Sequence, residues 1–119
     1  DGGLNWFLVH QRGYRRAFQL SIESERISAD RCVELGLANR AVPAESLMEE
    51  TLKWAQVLAK CAPLSLAATK KAMRHAVSHD WSSTFDVEVS LQKVLRESAD
   101  SEEGVRAFLE KCKANFKGQ

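Results

Sequence analysis

Apolar residues recur at steps of three and four positions along most of the chain, which is the period of an amphipathic helix. A first apolar run covers residues 4–11 and ends near Gly13, a residue type that commonly stops a helix. A second apolar face then follows in the order Tyr14, Ala17, Phe18, Ser21 and Ile22. The pattern therefore predicts two consecutive helical segments at the start of the chain.

The next stretch predicts a short helix followed by the best strand candidate. Ser28 is suited to cap a helix over residues 29–35, and Asp30 then lies in the first turn, where the helix dipole favours negative charge. This helix stops at Gly36. Residues 37–42 have the length of a strand and end at a proline. We therefore expect a mostly α-helical segment with one or two short strands.

From residue 44 onward the pattern is purely helical and predicts four helices. Pro63 ends the first and starts the second, since proline is tolerated in a first helical turn. The second helix carries an apolar stripe formed by Leu66, Thr69, Met73 and Val77. Asp100 and Glu103 have the spacing of a capping box before the last helix. The change of pattern divides the chain into residues 1–43 and 44–119.

Composition and charge narrow the class of protein. The 119 residues carry 17 Lys and Arg against 16 Asp and Glu, which argues against a dedicated nucleic-acid binder. No apolar run approaches the ~18 residues of a membrane span. The three cysteines are far apart and odd in number, so we expect reduced thiols and a cytoplasmic location. The start at Asp1-Gly2-Gly3, without Met, suggests a piece of a longer protein.

The residues alone give only weak signals for chemistry. His75 and His79 have the spacing of two zinc ligands, but no Glu lies between them and no third ligand is evident, so no metal is expected. A second signal is a local basic cluster, formed by Lys60, Lys70, Lys71, Arg74 and His75. This cluster is either a solvated helix face or a contact for an anionic group. No motif orders a Ser, a His and an Asp for nucleophilic catalysis.

Several segments together resemble the enoyl-CoA hydratase/isomerase, or crotonase, family. The segments that carry the resemblance are residues 1–6, Arg12-Gly13 with Ala17, Ile27-Ser28-Ala29, residues 36–43, Ala62-Pro63 with Lys70, residues 103–111, and Phe116. Their order and spacing extend across essentially the whole chain. Two departures are Ser24-Glu25, where the family commonly has a glycine, and Cys112, where it often has an arginine.

The resemblance implies an α/β crotonase-like fold, a spiral core of repeated ββα turns, for the whole protein. Residues 1–43 would be the last part of that core, and residues 44–119 a C-terminal helical oligomerisation region that builds a homotrimer or hexamer. The implied partners are an acyl-CoA substrate and the N-terminal core of the same protein, with no nucleic acid and no membrane. No cofactor is implied, because coenzyme A is part of the substrate.

The resemblance also implies a mechanism, in which two backbone N–H groups hold the enolate oxygen of the thioester. Asp1 matches a catalytic Asp of the dienoyl-CoA isomerases, the epoxyphenylacetyl-CoA isomerases and the chlorobenzoyl-CoA dehalogenases. It would act as acid/base or, as in the dehalogenases, as a nucleophile. The alternative for Asp1 is a cap on the helix from Leu4. The oxyanion-hole segments and the two hydratase glutamates would lie upstream of the matched region.

Two further residues match family positions at the C-terminal helix that contact coenzyme A. Phe108 and Lys111 would contact the adenine or its 3′-phosphate, commonly from a neighbouring subunit, and lysine is a suitable point charge for phosphate. The alternatives are a residue of an apolar stripe for Phe108 and a solvated lysine for Lys111. The expected function is that of an enoyl-CoA isomerase or hydratase. The alternatives are a structural oligomerisation segment and a non-catalytic acyl-CoA-binding protein.

Overall fold

The computed structural model describes residues 2–119, so Asp1 lies outside the described residues. Within them the chain forms six α-helices and one 3₁₀ turn. These elements are α1 (Leu4–Glu23), α2 (Ala29–Glu34), the 3₁₀ turn (Ala44–Ser46), α3 (Leu47–Leu58), α4 (Pro63–Ala76), α5 (Trp81–Arg96) and α6 (Ala99–Leu109). The chain divides into two compact units, Asp1–Met48 and Glu49–Gln119. The predicted roles of residues 1–43 as core and 44–119 as oligomerisation region stay predictions.

In the first unit, α1 is broken at a glycine. Gly13 has φ 74° and ψ 160°, a conformation that takes it out of the helix and that favours glycine. The predicted stop near this residue is therefore confirmed, although helix resumes directly after it. The second segment ends at Ser24, which adopts the left-handed conformation with φ 50°.

The short helix α2 has the predicted cap at each end. The Ser28 side chain accepts a hydrogen bond from the Arg31 backbone N–H at 3.2 Å. At the other end Gly36 has φ 63°, and its N–H donates to the carbonyl of Val33 at 2.9 Å. The Leu37 N–H donates to the Cys32 carbonyl at 2.8 Å, which completes a Schellman motif.

The strand predicted over residues 37–42 was wrong, and none of the residues 2–119 forms a strand. The amides of Leu37 and Ala38 both donate to the Cys32 carbonyl, at 2.8 and 3.1 Å, so they are used to end α2. A strand also needs a neighbouring strand to pair with, and the described part of the chain offers none. The prediction of a mostly helical segment is confirmed.

In the second unit, α4 packs on α5 and α5 packs on α6. Pro63 occupies the first turn of α4 as predicted. At the start of α6, however, the cap is Ser98, whose side chain accepts from the Ser101 N–H at 3.1 Å. The predicted capping box of Asp100 and Glu103 was therefore wrong, because the cap lies two residues before Asp100 and both carboxylates have other partners.

Few side chains are buried in the described residues, and the large apolar ones are mostly at the surface. The buried residues are Leu8, Ala17, Leu35, Ala72, Asp100 and Ala107. The exposed ones include Phe7, Phe18 and Ile22 in the first unit, and Met73, Trp81, Phe108 and Leu109 in the second. The apolar stripes that the sequence predicted are therefore present, but within each unit they lack cover. No described helix combines the length and the apolar character that a membrane crossing requires.

Candidate functional site

The C-terminal end of α6 brings Phe108 and Lys111 together on one short piece of backbone. The N–H of Lys111 donates to the Phe108 carbonyl at 3.3 Å, and the N–H of Cys112 donates to the Ala107 carbonyl at 3.0 Å. This is the same Schellman motif that ends α2. Lys111 occupies the left-handed position with φ 52°, which Gly36 fills in α2. Since this conformation costs an L-residue roughly 1–2 kcal/mol, Lys111 is an unusual choice for the position.

Phe108 presents its ring at the surface of the second unit. Its exposed fraction is 83%, and its apolar neighbours Val105 and Leu109 on α6 are exposed as well. The side chain borders an open apolar groove of about 620 Å³ formed by α4, α5, α6 and Phe116. Phe108 is therefore accessible to a flat ligand, within the part of the chain that the structure describes.

An arginine between two carboxylates lies one helical turn before Lys111. The Arg106 guanidinium binds Glu103 through two parallel hydrogen bonds of 2.8 Å each, and its remaining terminal nitrogen contacts the Glu110 carboxylate. The Arg106 hydrogen bonds, together with the Asn115 N–H at 2.7 Å, lower the pKa of Glu103 to about 2. The same carboxylate raises the pKa of Arg106. Glu103 therefore stays ionised at neutral pH, and the Arg106 guanidinium holds both carboxylates.

A buried carboxylate fastens the C-terminal tail, residues 113–119, to the start of α6. Asp100 is only 5% exposed and accepts hydrogen bonds from the N–H groups of Lys117 at 2.6 Å and Gly118 at 2.8 Å. Its own N–H donates to the Gln119 carbonyl at 3.1 Å. Sequence reasoning missed this role, because partners seventeen and eighteen positions away leave no local signal.

Tail packing also explains the other residues of the matched C-terminal segment. The Phe116 ring lies against α6 at Gly104, where an added Cβ atom would meet it at an ordinary contact distance of 3.5 Å. Ala107 is buried beneath the helix end. Glu103 and Phe116 therefore connect the tail to the helix, whereas Phe108 and Lys111 are exposed.

His75 connects α4 to α5, and His79 packs on His75 at the end of α4. The Nε2 atom of His75 lies 2.9 Å from the Ser83 hydroxyl, and the Nδ1 atom of His79 lies 2.9 Å from the His75 carbonyl. The two imidazole rings stack with their centroids 3.7 Å apart. Among residues 2–119 no group of three His, Cys, Asp or Glu side chains is arranged to hold a metal ion.

The comparisons with known proteins agree over the entire chain. The family model described as enoyl-CoA hydratase/isomerase matches residues 1–119. A probable enoyl-CoA hydratase of Rhodobacter capsulatus is 35% identical over 119 residues, which are 100% of this chain and 46% of that protein. The 1,2-epoxyphenylacetyl-CoA isomerase of Escherichia coli is 31% identical over 119 residues, 100% of this chain and 45% of that protein.

The solved structures give the same result for the fold. Subunit I of an enoyl-CoA hydratase from Geobacillus kaustophilus superimposes with a TM-score of 0.96 at 36% identity, covering 100% of this chain and 46% of its own. The chain spans about half the length of the curated relatives it matches.

Proposed function

Because the chain belongs to the enoyl-CoA hydratase/isomerase family, we propose that the protein containing it acts on an acyl-CoA thioester. The observation that carries this proposal is the match of the family model to all 119 residues. The names of the two relatives differ in reaction and in acyl group but share the coenzyme A thioester. The coenzyme A portion is therefore the part of the substrate that this chain is best placed to recognise.

The proposed chemistry is that of an enoyl-CoA isomerase or hydratase that passes through a thioester enolate. Such an enolate forms readily only when preorganised donors hold its oxygen, because the thioester α-proton is weakly acidic. We propose Asp1 as the group that moves the proton. The support for Asp1 is its position in the matched segment, and the residue lies outside the part that the structure describes.

For coenzyme A, we propose that the Phe108 ring stacks on the adenine and that the Lys111 ammonium binds the 3′-phosphate. Both side chains are exposed and leave the same helix end, which the Schellman hydrogen bonds hold in a defined shape. Lys111 makes no ion pair with a carboxylate of residues 2–119, so its charge is available to an anion. Ammonium and phosphate form a charge-assisted contact.

The variant Lys111→Gly tests the proposal in the full-length protein. Glycine suits the left-handed backbone, so this change removes the charge without disturbing the helix end. We expect the affinity for coenzyme A to fall about tenfold, while the affinity for 3′-dephospho-coenzyme A stays unchanged in isothermal titration calorimetry. Lys113→Ala, which removes a lysine two positions further on, is the matched control. An equal loss for both ligands, or no loss at all, contradicts the proposal.

A structural role for the segment is the second candidate function. The exposed apolar side chains of α4, α5 and α6 favour it, since such faces are typically covered by another surface. In this alternative the chain completes an oligomer whose sites are built elsewhere. A third possibility, a non-catalytic acyl-CoA-binding protein, predicts coenzyme A binding without turnover of any enoyl-CoA.

A further inference from the structure

We propose that Arg106 is a positioning residue that keeps Lys111 available for phosphate by holding two neighbouring carboxylates. This inference rests on the proposed contact between Lys111 and the 3′-phosphate of coenzyme A. The family resemblance did not single out Arg106. The role proposed for it is to neutralise the carboxylate charge beside Lys111. The grounds are the geometry of Arg106 and the position of Glu110 directly before Lys111.

The guanidinium binds both carboxylates at once, and it holds Glu103 through two parallel hydrogen bonds. Its Nε and one terminal nitrogen grip Glu103, and the other terminal nitrogen grips Glu110. A planar fork with five donors makes both contacts at once, whereas a lysine offers a single point charge. Arg106 therefore binds one carboxylate on each side of itself along α6.

Glu110 is the acid next to Lys111 in the chain, with the two Cα atoms about 3.8 Å apart. If Arg106 did not engage the Glu110 carboxylate, that carboxylate would be free to pair with the Lys111 ammonium. It would also repel an incoming phosphate. The other charged groups of α6 and the tail are Asp100 and Glu102 in the first turn of the helix, and Lys113 and Lys117 after it.

A merely structural role for Arg106 is the competing explanation, because its partner Glu103 also accepts the Asn115 N–H of the tail. A variant of Glu110 separates the electrostatic role of Arg106 from a structural one. If Arg106 acts by neutralising Glu110, then removing the Glu110 charge makes Arg106 dispensable for phosphate binding. If Arg106 only fastens the helix and the tail, removing that charge restores nothing.

The experiment measures calorimetric binding of coenzyme A and 3′-dephospho-coenzyme A to the full-length protein and its variants. We expect Arg106→Gln to weaken coenzyme A binding about two- to fivefold, the range of an exposed charge interaction, and to leave 3′-dephospho-coenzyme A unaffected. In the double variant, Glu110→Gln restores the original ratio of the affinity for coenzyme A to that for 3′-dephospho-coenzyme A. Glu110→Gln alone does not weaken the binding of coenzyme A. Arg31→Gln on α2, where the arginine is likewise paired with a glutamate, removes the same charge from the first unit and leaves the ratio unchanged.

A double variant as weak as Arg106→Gln alone, or an equal loss for both ligands, overturns the inference. If Arg106→Gln fails to fold, Arg106→Lys replaces it, and an unchanged ratio in that variant counts against the need for the fork. Lys111→Gly separates the proposed contact of Lys111 with the phosphate from the proposed role of Arg106. No effect in Lys111→Gly refutes the proposed contact between Lys111 and the 3′-phosphate, whereas a loss there with none in Arg106→Gln refutes only this inference.

Discussion

At the scale of single residues, two exposed side chains stand on a backbone conformation that destabilises the folded protein. Ser24 and Lys111 are the non-glycine residues with positive φ in the described range, at 50° and 52°. For Lys111 the side chain offers a reason, since glycine there would remove a charge next to Phe108. Ser24 makes only a local hydrogen bond to the Ser21 carbonyl, so its strain has no matching gain.

We therefore expect Ser24→Gly to stabilise the full-length protein by about 0.5–1 kcal/mol. The left-handed conformation costs an L-residue roughly 1–2 kcal/mol, and the greater freedom of glycine in the unfolded chain offsets part of that. Ser21→Gly, inside the helical part of α1, is the control and should destabilise instead. Urea denaturation midpoints measure both, and a lower midpoint for Ser24→Gly would count against the argument.

The catalytic role of Asp1 is predicted from the family resemblance alone, because Asp1 lies outside the described residues. If it moves the proton, Asp1→Asn lowers turnover of the full-length enzyme by two to four orders of magnitude, roughly the contribution of a general acid or base. If Asp1 only caps a helix, the same change lowers stability slightly and leaves turnover near normal, because Asn also caps well. The initial rate at saturating enoyl-CoA, measured beside thermal stability, separates the two outcomes.

At the scale of elements, the attachment of the tail to α6 depends on a buried carboxylate. Asp100→Asn leaves one carbonyl oxygen to serve the N–H groups of Lys117 and Gly118 and adds amide donors beside them. We expect a loss of about 2 kcal/mol in the free energy of unfolding. Glu102→Gln removes an exposed carboxylate from the same helical turn and should cost much less. Equal losses in the two variants would show that the helix dipole, and not the tail, accounts for the effect.

The elements also show which features the sequence could predict. The break at Gly13, the cap at Ser28 and the start of α4 at Pro63 were correct because each depends on residues within one turn. The strand over residues 37–42 failed because its first amides are used to end α2. The capping box failed because the partners of Asp100 are distant in sequence. For the candidate site, periodicity placed Phe108 on an apolar stripe but could not show that the stripe is uncovered.

At the scale of the whole molecule, the second unit has an exposed apolar surface that we expect to be buried in the full-length protein. Trp81 is 78% exposed and stacks only on Phe85, with 5.2 Å between the ring centroids, and Met73 and Leu109 are exposed too. Exposed apolar faces of this kind typically mark an interaction surface. Two sources of cover are consistent with these faces: a further part of the same polypeptide, or another subunit.

We expect the second source to contribute, so that the full-length protein is a trimer or hexamer in multi-angle light scattering and binds a hydrophobic dye only weakly. Trp81→Glu should lower the mass of the particle, because a carboxylate at a packed interface is left without water or a partner. Glu88→Gln, a polar substitution on the same helix, is the control and should leave the mass of the particle unchanged. A monomer that binds little dye would show that the polypeptide covers these faces itself, and the oligomerisation role would then be refuted.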